Sequence, residues 1–388
     1  MPLILPRILS AVIVAVILLW SGWLAQDAAG RALSFSLLAG AAFGTVLQRG
    51  RFCFLCNLRD FVERRDASGL VAILVALSTG IVLYQAVLGA WVPVPQPDRL
   101  PPGAHIGPVG WVLALAATAF GVGMALSGSC LSAHLYRLGE GAFGSLAALF
   151  GAAIGFVLGF LTWNTLYTNT VSDDPSVWLP GILGYAGATT ASLAVIGGLA
   201  WLVLRKAEAH GGLATSAAPS KRIFEDRWPP VVTGVLVAVI GAVAYLRVAP
   251  LGVTAELGSI ARTAGHSVGL VPETLVGLDT VRGCISAIKT SLLSPNGVFV
   301  IGMVLASLAA ALTAGRFKPS WPDARGLGAR FVGGVLMGWG AMTGLGCTVG
   351  VLLSGIHAGA VSGWIFLVFV TLGAVATLAL MRRLRTGM

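Results

Sequence analysis

Charge is scarce in this chain. It has 25 Lys and Arg and 15 Asp and Glu in 388 residues, 10% in all, where a soluble domain carries about 25%. With 56% hydrophobic residues, that shortage excludes an ordinary water-soluble fold. No GxxxxGK[ST] loop occurs, so the chain offers no ATP site of that kind. Histidine and methionine are few, at 5 and 7, and no HxxxH occurs, which argues against a soft-metal pathway. The five cysteines are Cys53, Cys56, Cys130, Cys284 and Cys347. An odd number scattered among apolar segments is not a disulfide framework. Cys53 and Cys56 form one CxxC, read CFLC, with no second pair to complete a zinc site. No metal and no cofactor is therefore expected.

What is present is length of apolar run. A bilayer span needs about 20 mostly apolar residues. Residues 8–26, 68–92, 109–126, 141–163, 180–204, 229–247, 297–315, 327–345 and 359–381 each qualify, and 33–47 is a shorter, Gly-rich tenth. They do not alternate as barrel strands do. The expected class is an all-α integral membrane protein with about nine to ten transmembrane helices. The first run, after Arg7, resembles a signal peptide with a cleavage site near Ala28-Ala29-Gly30, but it is long for a signal core. It reads as a retained helix.

The net charge of +10 would suit nucleic acid in a soluble protein. Here the basic residues collect in loops, and no nucleic-acid partner is expected. Arg49, Arg51, Arg59, Arg64 and Arg65 lie in 49–65. Arg205, Lys206, Lys221, Arg222 and Arg227 lie in 205–228, with more in 316–325 and in the tail from Arg382 to Arg385. Residues 164–179 hold two Asp and no Lys or Arg. The positive-inside rule puts the basic loops and the C-terminus in the cytoplasm, and 93–107 and 164–179 outside.

The single membrane domain divides into a first half, 31–204, a cytoplasmic linker, 205–228, and a second half, 229–388. FGVGMALSGSC, ending at Cys130, and MGWGAMTGLGC, ending at Cys347, share their Gly–Cys spacing. A weaker match pairs Arg51-Phe52-Cys53 with Arg282-Gly283-Cys284; a Gly-led span follows each, at Gly69 and Gly297. Four clear crossings separate the 68–92 and 297–315 spans, so the halves read as an inverted pseudo-twofold repeat, a common transporter plan. Residues 248–296 are too polar for ordinary spans, with Glu256, Arg262, His266, Glu273, Asp279, Arg282 and Lys289. Irregular backbone at membrane depth must be covered or line a cavity, so this stretch reads as short or re-entrant helices beside a pathway.

Cys53, Cys130 and Cys347 each follow glycines and precede a short helical stretch. Glycine permits a tight turn, and a helix that starts there favours an anion with its free N–H groups and dipole. Three such positions make these cysteines candidate substrate-binding residues. Cys284 joins them through the weaker match. Cys56 lies one turn beyond Cys53, where packing is the simpler reading. Arg51, at a path mouth, is a further binding candidate or a positive-inside anchor.

LQRGRFCFLCNLRDF, GVGMALSGSCLSAHLYRLGEG, FEDRWPPVVTGVL, LGVT and GGVLMGWGAMTGLGCTVG resemble the YeeE/YedE sulfur-transport family, in the order of its YeeE-type thiosulfate uptake members. The resemblance covers roughly 33–381. It implies an hourglass of spans and half-helices in the bacterial inner membrane. Thiosulfate would be taken up past Cys53, Cys130 and Cys347 at the narrow centre, and a small cytoplasmic sulfur-carrier protein would act as partner. Gly128-Ser129 departs from the paired glycines expected before the middle cysteine, and His134 stands where an aromatic is usual. A thiol is a weak donor and polarisable, suited to the soft sulfur of thiosulfate. The alternative is a membrane sulfurtransferase or thiol oxidoreductase with a persulfide-forming cysteine. That enzyme would pair the cysteine with a base, and only His134 and His357 follow a cysteine closely.

Overall fold

The computed structural model describes residues 4–207, 224–278, 281, 283–291 and 293–386. Lys221, Arg222, Asp279 and Arg282, and the side chain of Arg385, lie outside the described residues. Among those described, nine helices are long and apolar enough to cross a membrane, and a bent pair meeting at 44° makes a tenth. The only β contacts there are two isolated bridges. The chain is an all-α, multi-pass membrane protein.

Helix α1 (Ile4–Leu24) precedes a first set of six helices: α2 (Gly30–Gly50), α3 (Phe54–Arg64), α4 (Ser68–Trp91), α5 (Trp111–Ser127), α6 (Leu131–Gly139) and α7 (Ser145–Leu166). Helix α8 (Leu179–Lys206) follows, kinked at Gly184. A second set holds α9 (Pro230–Arg247), α10 (Val253–Ser267), α11 (Pro295–Thr313), α12 (Ala324–Thr343), α13 (Thr348–Ala358, opening with a π-helical turn) and α14 (Val361–Thr386). The two sets have the same rhythm: a long helix, a break, a short helix and a returning long helix, twice over. Among the described residues, the polar stretch 248–296 contains one short helix, α10, followed by irregular backbone at 268–278 and 283–291 before α11 begins.

The packing pairs correspond between the sets. Helix α2 packs on α11 as α9 packs on α4. Helix α5 packs on α14 as α12 packs on α7, and α5 meets α12 at the centre. The short helices follow suit: α6 touches α11 as α13 touches α4, and α10 touches α7 as α3 touches α14. The α2–α11 seam holds Phe43 against Phe299, with ring centroids 5.7 Å apart. The α4–α9 seam stacks Tyr84 on Tyr245 at 4.9 Å. At the α7–α12 seam the backbones themselves touch: a Cβ on Gly338 or Gly334 would collide with the carbonyl of Ala152 or Ala148, and one on Gly155 with that of Val335. Lipid supplies no hydrophobic drive between helices, so such close approach is what holds them together.

The basic segments gather at one end. Trp228 N–H donates to Arg49 O at 3.1 Å and Lys318 N–H to Glu140 O at 2.9 Å. Arg7 pairs with Glu225 at 2.7 Å, and Arg227 lies 4.0 Å from Glu140. The loops after α4 and α7 meet at the other end, where Val109 N–H donates to Pro175 O at 3.0 Å and Gly107 N–H to Ser362 Oγ at 3.2 Å.

Segment 268–294 is stitched to its neighbours. Lys289 and Glu256 form a buried ion pair, and Glu256 also accepts from Ser294 Oγ at 2.7 Å. Arg262 donates to Ser286 O at 2.7 Å, and Ala287 N–H to Ser259 Oγ at 3.0 Å. Three of the charged residues that disqualify this stretch as a span, Glu256, Arg262 and Lys289, therefore anchor it.

Candidate functional site

Each long helix before a break ends for a local reason. Helix α2 stops where Arg51 turns left-handed, φ 50, and α5 stops at Gly128, φ 86. Helix α12 stops at Gly344, after which Leu345 is left-handed at φ 58. A left-handed non-glycine residue is uncommon and strained. After each break the next helix starts from a cysteine in extended conformation: Cys53 caps α3, Cys130 caps α6 and Cys347 caps α13. Cys53 Sγ accepts from Cys56 N–H at 3.5 Å, and Cys347 Sγ from Val349 N–H at 3.4 Å.

The breaks come together. Cys53 reaches Cys130 side chain to side chain, and Cys130 neighbours Cys347. Cys347 in turn neighbours Cys284, and Cys56 flanks Cys53 at the other end. All five thiols are buried, so Cys56, read from sequence as packing, borders the same row. A cavity of about 20 Å³ sits between the starts of α6 and α13, bounded by Phe52, Phe54, Cys130, Ser132, Thr348 and Val349. That is room for roughly one water. Both helices begin at it, so their N-terminal dipoles favour negative charge there. Ser132 Oγ is buried beside it without a partner.

Arg51 is about half exposed and pairs with Asp60 at 3.3 Å. A partly buried cation that faces Cys53 and Cys56 is Arg137, which donates to Ser129 Oγ at 2.5 Å and to Gly128 O at 3.4 Å. Ser129 thus holds this arginine in place. Sequence reasoning missed Arg137 because a basic residue in a helix's last turn is ordinary. It also missed His105 and Thr254. His105 Nε2 lies 3.9 Å from Cys284 Sγ, and Thr254 faces both Cys284 and Cys347. Neither residue lies near a cysteine of its own segment in sequence.

The two histidines close to cysteines in sequence are engaged elsewhere. His134 Nδ1 meets Ser145 Oγ at 3.1 Å, and His357 Nε2 donates to Ala76 O at 3.1 Å. Neither of these two histidines therefore serves as a base to the cysteine it follows in sequence.

Vestibules flank the thiols. At the basic end a basin of about 550 Å³ is bounded by Arg59, Arg64, Arg325, Arg330 and Arg382 among others, with Ser127 and Gly128 at its wall. At the other end a narrow space of about 10 Å³ lies among Asp174, Thr343, Gly344, Leu345 and Ser362. Burial, and then the neighbouring Asp173, push the Asp174 carboxyl above its ordinary pKa.

Residues 49–376 match the family model for sulphur transport. Over 358 residues the chain is 29% identical to the thiosulfate transporter TsuA of Escherichia coli (strain K12), covering 87% of this chain and 91% of that protein. Over 353 residues it is 30% identical to the thiosulfate transporter TsuA of Spirochaeta thermophila, covering 87% and 95%. The chain belongs to the sulphur transport family.

Proposed function

We propose that this protein takes up thiosulfate, or a closely related small sulfur anion, across the bacterial inner membrane along its row of cysteine thiols. The observation that carries the reading is the matched pair Cys130 and Cys347. Each caps a short helix after a glycine-bearing break, and both helices start at one cavity. Fixed charge at such a point would trap a dianion. Helix N-termini and thiols offer partial charge and weak S–H donors instead, and conduction needs sites weak enough to release their ion. The terminal sulfur of thiosulfate suits the polarisable thiols, while its oxygens suit backbone N–H groups. A cavity that holds one water is closed to such an anion, so passage requires the Phe52 and Phe54 rings at its edge to move. The thiols must be protonated to receive the dianion.

The two six-helix sets are read as an inverted repeat, with the basic end and the C-terminus in the cytoplasm. The shared packing plan supports the repeat, and the distribution of charge supports the orientation. Cys53 and Cys56 then lie toward the cytoplasm. Arg51, paired to Asp60, belongs to the basic mouth that draws the anion rather than to the thiol row. A small sulfur-carrier protein receives the imported sulfur at the basin near Arg59, Arg64 and Arg65.

The test is growth on thiosulfate as sole sulfur source in a strain without other sulfur permeases. Cys130→Ala and Cys347→Ala should each abolish growth while the protein still accumulates in the membrane. Wild-type growth with either variant would overturn the assignment.

A further inference from the structure

Helix α10 begins from Gly252, at the place in the second set where Cys53 starts α3 in the first. It carries no thiol there; its first residues are Val253 and Thr254. A thiol nonetheless stands beside Cys347, and it comes from the segment 268–294 as Cys284. The backbone delivers it: Cys284 N–H donates to Leu345 O at 2.8 Å. The bonds from Arg262 to Ser286 O and from Ala287 N–H to Ser259 Oγ fix the residues just after it.

The sulfur has been given space. A Cβ on Gly350 would collide with Cys284 Sγ, and one on Gly346 would lie 3.3 Å from it. Polar groups surround it. Thr254 Oγ1, on a residue 1% exposed, faces both thiols and makes no hydrogen bond to any other group. His105, 5% exposed, puts Nε2 3.9 Å from the sulfur, and its other edge packs against the Gly350 backbone. A buried hydroxyl set between two thiols, with an imidazole on the far side of one of them, can offer donors to a polar ligand.

We infer that Cys284, Thr254 and His105 form, with Cys347, an additional binding station for anions that carry both a soft sulfur and oxygens. It lies on the side of the row away from Cys53. The two thiols receive the sulfur; the Thr254 hydroxyl and the His105 ring N–H receive the oxygens. A symmetrical oxyanion such as sulfate leaves the thiols unused, so the station favours thiosulfate over sulfate. The inference rests on the transport reading above and adds a selectivity element to its path.

Two measurements on the full-length protein in membrane vesicles test it. The first is the rate at which a small thiol reagent modifies each cysteine, read by mass spectrometry with thiosulfate, sulfate or neither present. Thiosulfate should slow modification of Cys284 and sulfate should not. The second is uptake kinetics. Cys284→Ser and Thr254→Val should each raise the KM for thiosulfate about three- to ten-fold, the loss expected from one weak hydrogen bond, with little change in the maximal rate. Equal protection by both anions, or none by thiosulfate together with an unchanged KM, would overturn the station. Wild-type vesicles that take up no thiosulfate would overturn the transport reading instead. In that case protection of Cys284 by thiosulfate still decides whether the station binds.

Discussion

In the first half, the thiol beside Cys130 is Cys53, carried on the helix it caps. In the second half, the thiol beside Cys347 is Cys284, carried on an irregular segment laid across a helix that starts with Gly252, Val253 and Thr254. The first arrangement needs only a break and a cap. The second needs the Lys289–Glu256 ion pair, the Arg262 bond and two glycines cleared around the sulfur. Shared helix packing is kept while the chemistry at its centre is supplied by different parts of the chain.

The packing frame is where the largest effect is expected, and both halves should feel it. Gly338→Leu would drive a side chain into Ala152 O, and Gly121→Leu would do the same to Val370 O in the corresponding seam. Overpacking typically costs about 1–3 kcal/mol and sometimes more, and backbone contact leaves nothing flexible to yield. Both variants should be nearly absent from membranes by immunoblot and size-exclusion profile. Normal accumulation of one but not the other would break the equivalence of the seams.

Next comes the anchor peculiar to the second half. Lys289→Met leaves the Glu256 carboxylate without its cation, with only the Ser294 hydroxyl still donating to it. Segment 268–294 should loosen locally. Cys284 should then react with thiol reagents many times faster, while Cys53 keeps its wild-type rate. Equal acceleration of both thiols would mean that the anchor serves the whole fold.

Sidedness gives a smaller but sharper contrast. An inverted repeat predicts that a small membrane-impermeant reagent reaches Cys53 from the cytoplasmic face and Cys284 from the outside. Reaction of both from one face only would undo the inversion.

How much of this was legible depended on whether the signal was local. Apolar runs gave nearly every span because bilayer thickness imposes their length; even the short run 33–47 belongs to a full helix, α2. The Gly–Cys spacing before Cys130 and Cys347 marked corresponding breaks because a break and its cap are contiguous. The weaker match of Cys53 with Cys284 does not extend to the helix start, which in the second half is Gly252. It still singled out a thiol that stands in the row. His105, Thr254 and Arg137 had no local signature, since each acquires its neighbours only when distant segments pack together.

The smallest effect is expected at the surface. A carrier steered by charge to the basic basin should bind less well as salt rises. Arg64→Ala with Arg65→Ala should weaken a pull-down by a few-fold and reduce its salt dependence. Binding indifferent to both would place the contact elsewhere.

The central claim is that sulfur anions cross at the thiols where the two halves meet. Radiolabelled thiosulfate uptake into vesicles holding only the purified protein tests it most directly. Wild-type vesicles should accumulate label, and Cys130→Ala and Cys347→Ala should each fall to the level of protein-free vesicles. Transport at the wild-type rate by either variant would contradict the claim.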